Sequence, residues 1–328
     1  MRLALAIDGG NSKTDAVLVR EDGAVLGLAR AGGSSPHHLG LERALDVVGS
    51  LVEELAAPTL PHEALLLLAG VDFPDEEHAL EAAAARRAWA RRTRVRNDTF
   101  AVLRAGTDRA VGIAVVCGAG INCLGVAPDG SEARFPALGP ITGDWGGGTD
   151  VGTEALFAAA RSEDGRGPRT LLEARVPEHF GFAAPSEVAQ AIHRGQLAQH
   201  RLLELAPLVL ELATDDAVAA AIVDRLVAEI VAFARVAAER TRLQEQVFDV
   251  VLGGGLLQHA PPPLVAAIAQ GVHATAPGAL VKPTAAPAIV GSALLVLDEL
   301  GAGEQAKARA RRELEQEAAA VTIGGRDG

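Results

Sequence analysis

Short apolar runs that end in glycine and small polar residues recur along this chain. The first run begins at Leu3 and ends at Asp8, and a second apolar run reaches Val19 after a glycine-rich polar turn. Two apolar segments that flank such a turn predict a β-hairpin. Residues 24–31 predict a third strand after a further Asp-Gly turn. The chain is therefore expected to open with three consecutive strands.

Helical and strand patterns then alternate. A strand is predicted at residues 65–68, where a continuous apolar run indicates burial on both faces. Pro74 predicts the start of a helix that runs to about residue 92, and a strand at residues 94–98 leads into a helix at residues 99–104. Before these elements lies an amphipathic helix, whose predicted buried side carries Leu39, Leu41, Leu45, Val48, Leu51, Val52 and Leu55. Together they predict one compact α/β unit.

The same organisation restarts at residue 111. An apolar strand (111–117), a glycine turn, a returning strand (122–127) and a candidate third strand (133–137) repeat the opening pattern. Such a repeat predicts a duplicated fold in which two facing glycine turns hold nucleotide phosphates. A pair of glycine hairpins in corresponding positions is stronger support for this interpretation than either hairpin alone.

Glycine-rich loops and helices fill the second half of the chain. Residues 138–152 carry six glycines around Asp144 and one tryptophan, a composition that suits a pocket wall better than a core. Residues 168–246 have helical periodicity and carry no candidate chemistry. A buried strand at residues 247–252 enters three consecutive glycines, whose bare backbone could lie against a base or a ribose: Gly253, Gly254 and Gly255.

Composition excludes several classes of function. The net charge is −12, from 30 basic and 42 acidic residues, and this argues against a nucleic-acid binder because no basic surface would neutralise backbone phosphates. Two cysteines exclude a disulfide framework and predict a reducing compartment. The chain shows neither a signal-peptide cleavage site nor an apolar stretch of membrane-spanning length. We therefore expect a soluble cytoplasmic protein with no nucleic-acid and no membrane partner.

The first glycine turn carries groups that suit an anion. Glycines allow backbone N–H groups to approach closely, and the polar side chains that follow are donors of the kind phosphate oxygens accept. Asp8, which ends the first strand, is an acceptor beside that anion, so a divalent cation between the two would explain it. The turn lacks the P-loop spacing and no helix follows it. The alternative is an ordinary hairpin with a solvated turn.

Asp98 is the second acidic residue at a predicted strand end. Ligands of open α/β sheets collect at the carboxyl ends of strands, where both Asp8 and Asp98 fall. A lone Asp before a helix is also a common N-cap, and that alternative stays open. The loop histidines His37 and His38 lack a nearby Cys or carboxylate at ligand spacing, which leaves a pocket wall or plain surface as their two interpretations.

These motifs occur together in a known group. Asp8-Gly9-Gly10 with Lys13-Thr14, Asn97-Asp98, Gly118-Ala119-Gly120 with Asn122, Gly143-Asp144 with Gly146, and Gly253-Gly254-Gly255 stand in its order and spacing. Over about the first 300 residues the chain resembles the N-acetylglucosamine kinase branch of the BadF/BadG/BcrA/BcrD ATPase family, within the sugar kinase/Hsp70/actin superfamily. The resemblance implies an α/β fold of two ribonuclease-H-like (actin-like ATPase) domains with a cleft between them. It also implies transfer of the γ-phosphoryl group of ATP, with Mg²⁺, to the 6-hydroxyl of a hexosamine.

The resemblance also implies domain bounds. The N-terminal domain would cover residues 1–108, and the C-terminal domain residues 109–287 with a helical insertion at 155–246. A helix at about 288–301 would pack back on the first domain, and residues 303–328 are expected to form an exposed helix and a tail. A homodimer and a small-molecule amino sugar are the expected partners.

Site residues follow from the same resemblance. Asp98 matches the catalytic base and Asp8 the carboxylate that reaches Mg²⁺. The nucleotide-binding positions would be Gly9, Gly10, Asn11, Ser12, Lys13, Thr14, Gly118, Ala119, Gly120, Gly253, Gly254 and Gly255. The sugar-binding positions would be Ser35, His37, Asn97, Asp98, Gly120, Asn122 and Asp144.

Departures from the family pattern concern the substrate. Ala119 replaces a Thr that is frequent in the second turn, Ser35 stands where a sugar-contacting Asn is common, and Ala69 where a small polar residue is frequent. N-acetylglucosamine is the first expectation, with glucosamine or another amino sugar behind it. Two other classes stay open: an ATPase that activates a dehydratase by electron transfer through Cys117 and Cys123, and a non-catalytic nucleotide or sugar sensor.

Overall fold

The computed structural model describes the backbone of residues 1–324 and the side chains of residues 1–318. In chain order the first half contains β1 (Leu3–Gly9), β2 (Lys13–Arg20), β3 (Val25–Gly32), α1 (Pro36–Leu39), α2 (Leu41–Leu55), β4 (Glu63–Leu68), α3 (Pro74–Arg86), β5 (Arg92–Asn97), α4 (Thr99–Gly106), β6 (Gly112–Cys117), β7 (Ile121–Val126) and β8 (Glu132–Arg134).

The second half is mainly helical. It contains α5 (Gly148–Glu163), α6 (Leu172–Phe180), α7 (Pro185–His193), α8 (Ala206–Leu212), α9 (Ala217–Thr241), β9 (Phe248–Gly253), α10 (Gly255–Gln258), α11 (Pro262–His273), β10 (Ala279–Pro283), α12 (Ala288–Glu299) and α13 (Glu304–Gly324). Two short 3-10 helices cover Gly139–Ile141 and Gln199–Leu205.

The strands form two five-stranded sheets. The first has the order β3-β2-β1-β4-β5, in which β1, β4 and β5 are parallel and the first hairpin is antiparallel. The second has the order β10-β9-β6-β7-β8. When the second sheet is read from β8, each sheet begins with a three-stranded meander in reverse chain order and continues with two later strands. The predicted duplication of the opening strand pattern is therefore present in the strand order.

The chain folds as two compact units. The first comprises residues 1–114, 126–136 and the described chain from Thr284 onward, and the second comprises residues 115–125 and 137–283. The ribonuclease-H-like domain bounds expected from the sequence, 1–108 and 109–287, stay a prediction.

The core of the first unit lies on both faces of its sheet. Apolar side chains of β1 and β4 pack with the buried stripe of α2, formed by Leu45, Val48 and Leu51, and with small residues of α3. The opposite face is covered by α12, which crosses α4 so closely that a Cβ at Gly291 would lie 1.9 Å from the carbonyl oxygen of Ala101. Burial on both faces explains the continuous apolar run of β4.

Two local expectations were wrong. The helix that begins at Pro74 ends at Arg86 rather than near residue 92, because β5 starts at Arg92 and pairs with β4 from that residue. Leu39 is 38% exposed rather than buried, since Gly40, with a φ of +78°, separates one-turn α1 from α2.

The last helix also differs from expectation over its first half. Ala310 and Leu314 are buried, and the carboxylate of Glu313 accepts a 2.8 Å hydrogen bond from the backbone N–H of Val25 on β3. Thus α13 covers part of an edge strand that would otherwise present unpaired backbone groups. The last residues of the expected tail, 325–328, lie outside the described chain.

Candidate active site

Three parallel strands of the first unit end at one edge of its sheet. Gly9 of β1 pairs with Leu68 of β4, and Leu68 pairs with Asn97 of β5. Because carboxyl ends of parallel strands meet at the same edge, the residues around these three positions come together. Asp8 and Asp98 are both partly exposed there. The sequence-predicted metal residue and catalytic base therefore share one sheet edge.

The first glycine turn is fixed by backbone contacts. Gly10 donates to the carbonyl of Lys13 at 2.9 Å, and Ser34 donates to the carbonyl of Gly10 at 3.1 Å. A Cβ at Gly9 would lie 2.3 Å from Oγ of Ser34 and 2.5 Å from Cδ2 of Leu68. A Cβ at position 9 would have to displace these two buried side chains, so local packing favours glycine there.

The predicted donors of this turn have different environments. The side chains at Asn11, Ser12 and Lys13 are exposed, whereas Thr14 is fully buried. Oγ1 of Thr14 lies 2.8 Å from the carbonyl oxygen of Gly32 and 2.8 Å from Oγ of Ser34. The Thr14 hydroxyl is therefore used inside the fold, and the exposed donors are the three that precede it.

A second cation stands beside the turn. Arg30 of β3 lies opposite Asp15 of β2, and its Nε lies 2.5 Å from Oδ1 of that buried carboxylate. Lys13 lies 3.4 Å from the other carboxylate oxygen of Asp15. Sequence analysis missed Arg30, and only the antiparallel register of β2 and β3 could have indicated it. Asp15 thus forms ion pairs with two half-exposed cations, Lys13 and Arg30, near the first glycine turn.

The two carboxyl groups at the sheet edge have strongly raised pKa values. The pKa of Asp8 is raised to about 7, mainly by burial and also by the negative charges of Asp98 and Asp15, while the charges of Lys13 and Arg30 oppose the shift. Burial also raises the pKa of Asp98 to about 7, with a second contribution from the charge of Asp72. Carboxyl groups with near-neutral pKa values in one place are typical of functional sites.

Asn97 fixes the backbone around Asp98. Its Oδ1 accepts from the backbone N–H of Thr99 at 3.0 Å and from the Thr99 hydroxyl at 2.6 Å. Its Nδ2 donates to the carbonyl oxygen of Val71 at 3.1 Å and to Oδ1 of Asp72 at 2.9 Å. Asp98 stands at the N-cap position of α4 but makes no N-cap hydrogen bond with its side chain; its carboxyl group accepts instead from its own backbone N–H and from that of Thr99.

Ser35 and His37 lie at the loop between β3 and α2. Ser35 is 2% exposed, and its Oγ has no hydrogen-bond partner among the described residues. A Cβ at Gly70, where φ is +73°, would lie 2.9 Å from this Oγ and 2.9 Å from Cβ of His37. His37 itself is exposed. The His37 side chain is therefore accessible from solvent, whereas the hydroxyl of Ser35 is enclosed.

The second glycine turn belongs to the second unit. Gly118 accepts a 2.8 Å hydrogen bond from the N–H of Gly148, and Ala119 accepts one of 3.0 Å from the N–H of Thr149. Residues 118–120 are exposed, and a Cβ at Gly118 or Gly120 would meet no atom within 4 Å. Neither residue has the positive φ that favours glycine. Packing and backbone strain therefore do not explain these two glycines, whereas a ligand lying against the turn would.

The three glycines at positions 253–255 differ in whether the fold itself requires glycine. Gly253 is buried as the last residue of β9. Gly254 has a φ of +81°, and its Cβ would lie 2.4 Å from the carbonyl oxygen of Cys117, so the fold itself requires glycine there. Gly255 is exposed and its Cβ would meet no atom within 4 Å. Gly255 therefore resembles Gly118 and Gly120 in being unexplained by the fold.

The predicted sugar-side residues of the second unit are held by their neighbours. Oδ1 of Asn122 accepts from the N–H of Cys123 at 2.7 Å, and Oδ2 of Asp144 accepts from the hydroxyl of Thr142 at 2.5 Å. Arg225 of α9 places its guanidinium carbon 4.0 Å from the ring centroid of Trp145. This cation–π contact anchors the glycine-rich loop to α9, and sequence spacing could not have revealed it.

Both cysteines are buried and reduced. Burial raises the pKa of the Cys117 and Cys123 thiols well above the usual range. Metal and cluster ligation requires thiolates, which such burial disfavours. Within the described part of the chain no group of three or more His, Cys, Asp or Glu residues is placed to hold a metal ion. Nor does any described helix have the length and apolarity needed to cross a membrane.

Comparisons with known proteins point to one family. The sequence model of the BadF/BadG/BcrA/BcrD ATPase family matches residues 5–296. An N-acetylmuramic acid/N-acetylglucosamine kinase from Clostridium acetobutylicum is 28% identical over 214 residues, which are 64% of this chain and 70% of that protein. An N-acetyl-D-glucosamine kinase from Dictyostelium discoideum is 27% identical over 119 residues, which are 36% of this chain and 37% of that protein.

Solved structures share the fold. A candidate N-acetylglucosamine kinase from Chromobacterium violaceum has a TM-score of 0.71 at 24% identity, over 90% of this chain and 99% of that chain. A ROK family glucokinase from Streptomyces griseus, solved with glucose and AMPPNP, has a TM-score of 0.54 at 15% identity, over 91% of this chain and 98% of that chain. With its two five-stranded sheets, the chain confirms the predicted α/β fold of the actin-like ATPase type.

The raised pKa of Asp8 makes a prediction for stability. An Asp has a pKa near 3.9 when unfolded and Asp8 has about 7 when folded, so its contribution to stability is lost as the pH rises through 7. Asn cannot ionise. When the pH is raised from 5 to 8, the free energy of unfolding of the parent should therefore fall by up to about 3 kcal/mol more than that of Asp8→Asn. The estimate uses about 1.4 kcal/mol for each of the two pH units between pH 5 and the folded pKa of about 7.

The measurement is chemical denaturation of both proteins at the two pH values, without nucleotide and with a chelator. The exposed Asp108 supplies the control, because Asp108→Asn makes the same chemical change at the surface. An Asp8→Asn stability difference that is the same at pH 5 and pH 8 would contradict a raised pKa.

Proposed function

Because the chain belongs to the BadF/BadG/BcrA/BcrD ATPase family, we propose that it is an ATP-dependent sugar kinase that phosphorylates the 6-hydroxyl of N-acetylglucosamine. The family was predicted from the five motifs, and that prediction is confirmed. Glucosamine or another amino sugar is the alternative substrate within the same reaction. The observation that carries the proposal is the pair of Asp8 and Asp98 at one sheet edge, each with a pKa of about 7.

Asp98 is the proposed general base. A base works best when its pKa lies near the working pH, because it is then both ionised and able to hold a proton. Burial and the charge of Asp72 bring Asp98 into that range. Its side chain makes no N-cap hydrogen bond to α4, and hydrogen bonds from the backbone N–H groups of Asp98 and Thr99 lower its pKa, which favours the ionised form that a base needs. In this role Asp98 orients the sugar hydroxyl and accepts its proton as the oxygen attacks the γ-phosphorus.

The glycine turns fit the phosphates of ATP. At Gly118, Gly120 and Gly255 the fold leaves room for a Cβ that the sequence does not supply, which is the expected pattern where a ligand lies against the backbone. In the first unit the exposed Lys13 and Arg30 supply positive charge beside a turn of backbone N–H groups. These residues would bind and orient the transferred group, and positioning with charge neutralisation is most of what phosphoryl transfer requires.

Mg²⁺ would be held by Asp8. Magnesium in phosphoryl-transfer enzymes is bound by one or two carboxylates together with substrate phosphates, so a single protein carboxylate fits that donor set. When bound, Mg²⁺ neutralises charge on the phosphates. The cations Lys13 and Arg30 already oppose the raised pKa of Asp8, and both favour its ionised, metal-binding form.

The two rival classes are less well supported. Electron transfer to a dehydratase would need thiolate ligands, but Cys117 and Cys123 are buried and their pKa values are raised. A non-catalytic sensor gives no reason for a carboxyl group of near-neutral pKa at position 98. A cytoplasmic homodimer that acts on a small amino sugar remains part of the proposal.

The sharpest test of the proposed base is Asp98→Asn. Asn keeps the size of the side chain and can still bond to the sugar, but it cannot accept the proton. We expect turnover to fall by about 10²–10⁴, the usual contribution of a general base, with Michaelis constants for ATP and sugar close to those of the parent. The measurement is coupled ADP release with N-acetylglucosamine, with Asp108→Asn as the matched control.

Near-parental turnover of a folded Asp98→Asn protein would remove Asp98 from the base role. Its melting temperature distinguishes a lost base from a lost fold.

Gly120→Val tests the second glycine turn. Apart from the two adjacent residues, no atom in the described part of the chain lies within 4 Å of the Cβ position, so the variant should fold, while its side chain occupies the space proposed for phosphates. We expect loss of ATP binding, measured by calorimetry, at an unchanged melting temperature. Gly303→Val is the control, because position 303 has the same open surroundings and lies before α13. Parental ATP affinity in Gly120→Val would place the phosphates elsewhere.

A further inference from the structure

The loop that follows β4 is tied to Asp98 through one amide side chain. Asp72 accepts from Nδ2 of Asn97 at 2.9 Å, and the same nitrogen donates to the carbonyl of Val71 at 3.1 Å. The other end of the amide holds the backbone N–H and the hydroxyl of Thr99. Asn97 is 3% exposed, and both ends of its amide are hydrogen-bonded within the first unit. It is therefore built as a structural link rather than as a free ligand.

The loop is itself fixed from two sides. The carboxylate of Glu76 accepts from the backbone N–H groups of Asp72 and Phe73 at 2.9 and 3.1 Å. Arg134 of β8 forms a 2.7 Å ion pair with Glu77 in the first turn of α3. These contacts hold the loop that carries Asp72 independently of its hydrogen bond to Asn97.

The first turn of α4 is held on its other side by a stacked cation. Arg96 of β5 places its guanidinium carbon 3.4 Å from the ring centroid of Phe100, and its other partner is the carboxylate of Glu132 on β8. Asp98 lies between Arg96 and Phe100 in the chain. Contacts from both neighbours therefore restrict the backbone that carries Asp98.

We propose that Asn97 and Asp72 are positioning residues for Asp98: the Asp72–Asn97–Thr99 chain of hydrogen bonds fixes the direction of the Asp98 carboxyl group. This inference rests on the proposed function, because Asp98 is the base of that reaction. It replaces the expectation that Asn97 contacts the sugar. A displacement of about 1 Å at a reacting group can lower the rate about a hundredfold. Residues that only position Asp98 can therefore affect the rate without contacting the substrate.

The same link gives Asp72 an electrostatic role. Its charge is one cause of the raised pKa of Asp98, after burial. The charged groups around Asp98 from neighbouring elements are Asp8 on β1, Asp72 after β4, and the ion pairs Arg96–Glu132 and Arg134–Glu77. Asp8 and Asp72 are the two of these carboxylates that lie outside the ion pairs. Asp72 is the one that is hydrogen-bonded to Asn97, the residue before Asp98.

Three variants separate positioning from simple structural support. Asp72→Asn keeps an oxygen that can accept from Asn97 but removes the charge. Asn97→Asp keeps the acceptor for Thr99 but sets a second carboxylate against Asp72. The double variant Asp72→Asn/Asn97→Asp restores the hydrogen bond between positions 72 and 97 with donor and acceptor exchanged, but it does not restore the bond to the carbonyl oxygen of Val71. Asp75→Asn, at an exposed site in the first turn of α3, is the control for removal of a nearby charge.

Steady-state kinetics with ATP and N-acetylglucosamine give the first readout. We expect Asn97→Asp to lower kcat by about tenfold to a hundredfold with KM for the sugar unchanged, and the double variant to recover part of that loss. An increase in KM at unchanged kcat would show that Asn97 contacts the sugar and would overturn the proposal. So would a folded double variant no faster than Asn97→Asp.

The second readout needs no activity. The titration of the Asp98 carboxyl group is followed by ¹³C NMR, assigned by its loss in Asp98→Asn. We expect Asp72→Asn to move the midpoint to lower pH and Asp75→Asn to leave it in place. An unmoved midpoint in Asp72→Asn would overturn the electrostatic role. If the parent phosphorylates no hexosamine, the proposed function fails, but the titration still tests whether Asp72 acts on Asp98. The titration also remains possible if Asn97→Asp does not fold.

Discussion

Parallel pairing of β1, β4 and β5 is the constraint on which the candidate site depends. The register that joins Gly9, Leu68 and Asn97 brings three chain segments, distant in sequence, to one sheet edge. Each segment contributes a different group: Asp8 from β1, Asp72 from the loop after β4, and Asp98 after β5. Burial of β4 on both faces holds this central strand in the core of the first unit.

The same packing determines the electrostatics. Burial, together with the negative charges of neighbouring carboxylates, raises the pKa values of Asp8 and Asp98 to about 7. Raised pKa values of two carboxyl groups lower the free energy of unfolding at neutral pH, the range in which these groups can exchange protons. Lys13 and Arg30, which form ion pairs with Asp15, partly oppose the raised pKa of Asp8, and in the proposed function they supply positive charge to an anionic substrate.

Local patterns predicted the strands, the duplication and the acidic strand ends, because each depends on residues close together in sequence. What they missed depends on register and tertiary contact. Arg30 acquires its role only opposite Asp15, and Arg225 only through its contact with Trp145. Asn97 carried a sequence motif, yet its buried hydrogen bonds indicate a supporting role that no motif distinguishes from ligand binding. Exposure of Leu39 likewise follows from a glycine break that periodicity ignores.

The central claim is transfer of the γ-phosphoryl group to a defined sugar oxygen, so identification of the product tests it most directly. The protein is incubated with ATP, Mg²⁺ and N-acetylglucosamine, and the product is analysed by ¹H–³¹P correlation NMR. Our account predicts one sugar phosphate whose phosphorus couples to the protons on C6, formed only when metal is present. Phosphate on another carbon, release of inorganic phosphate without a sugar phosphate, or product formation in excess chelator would contradict it.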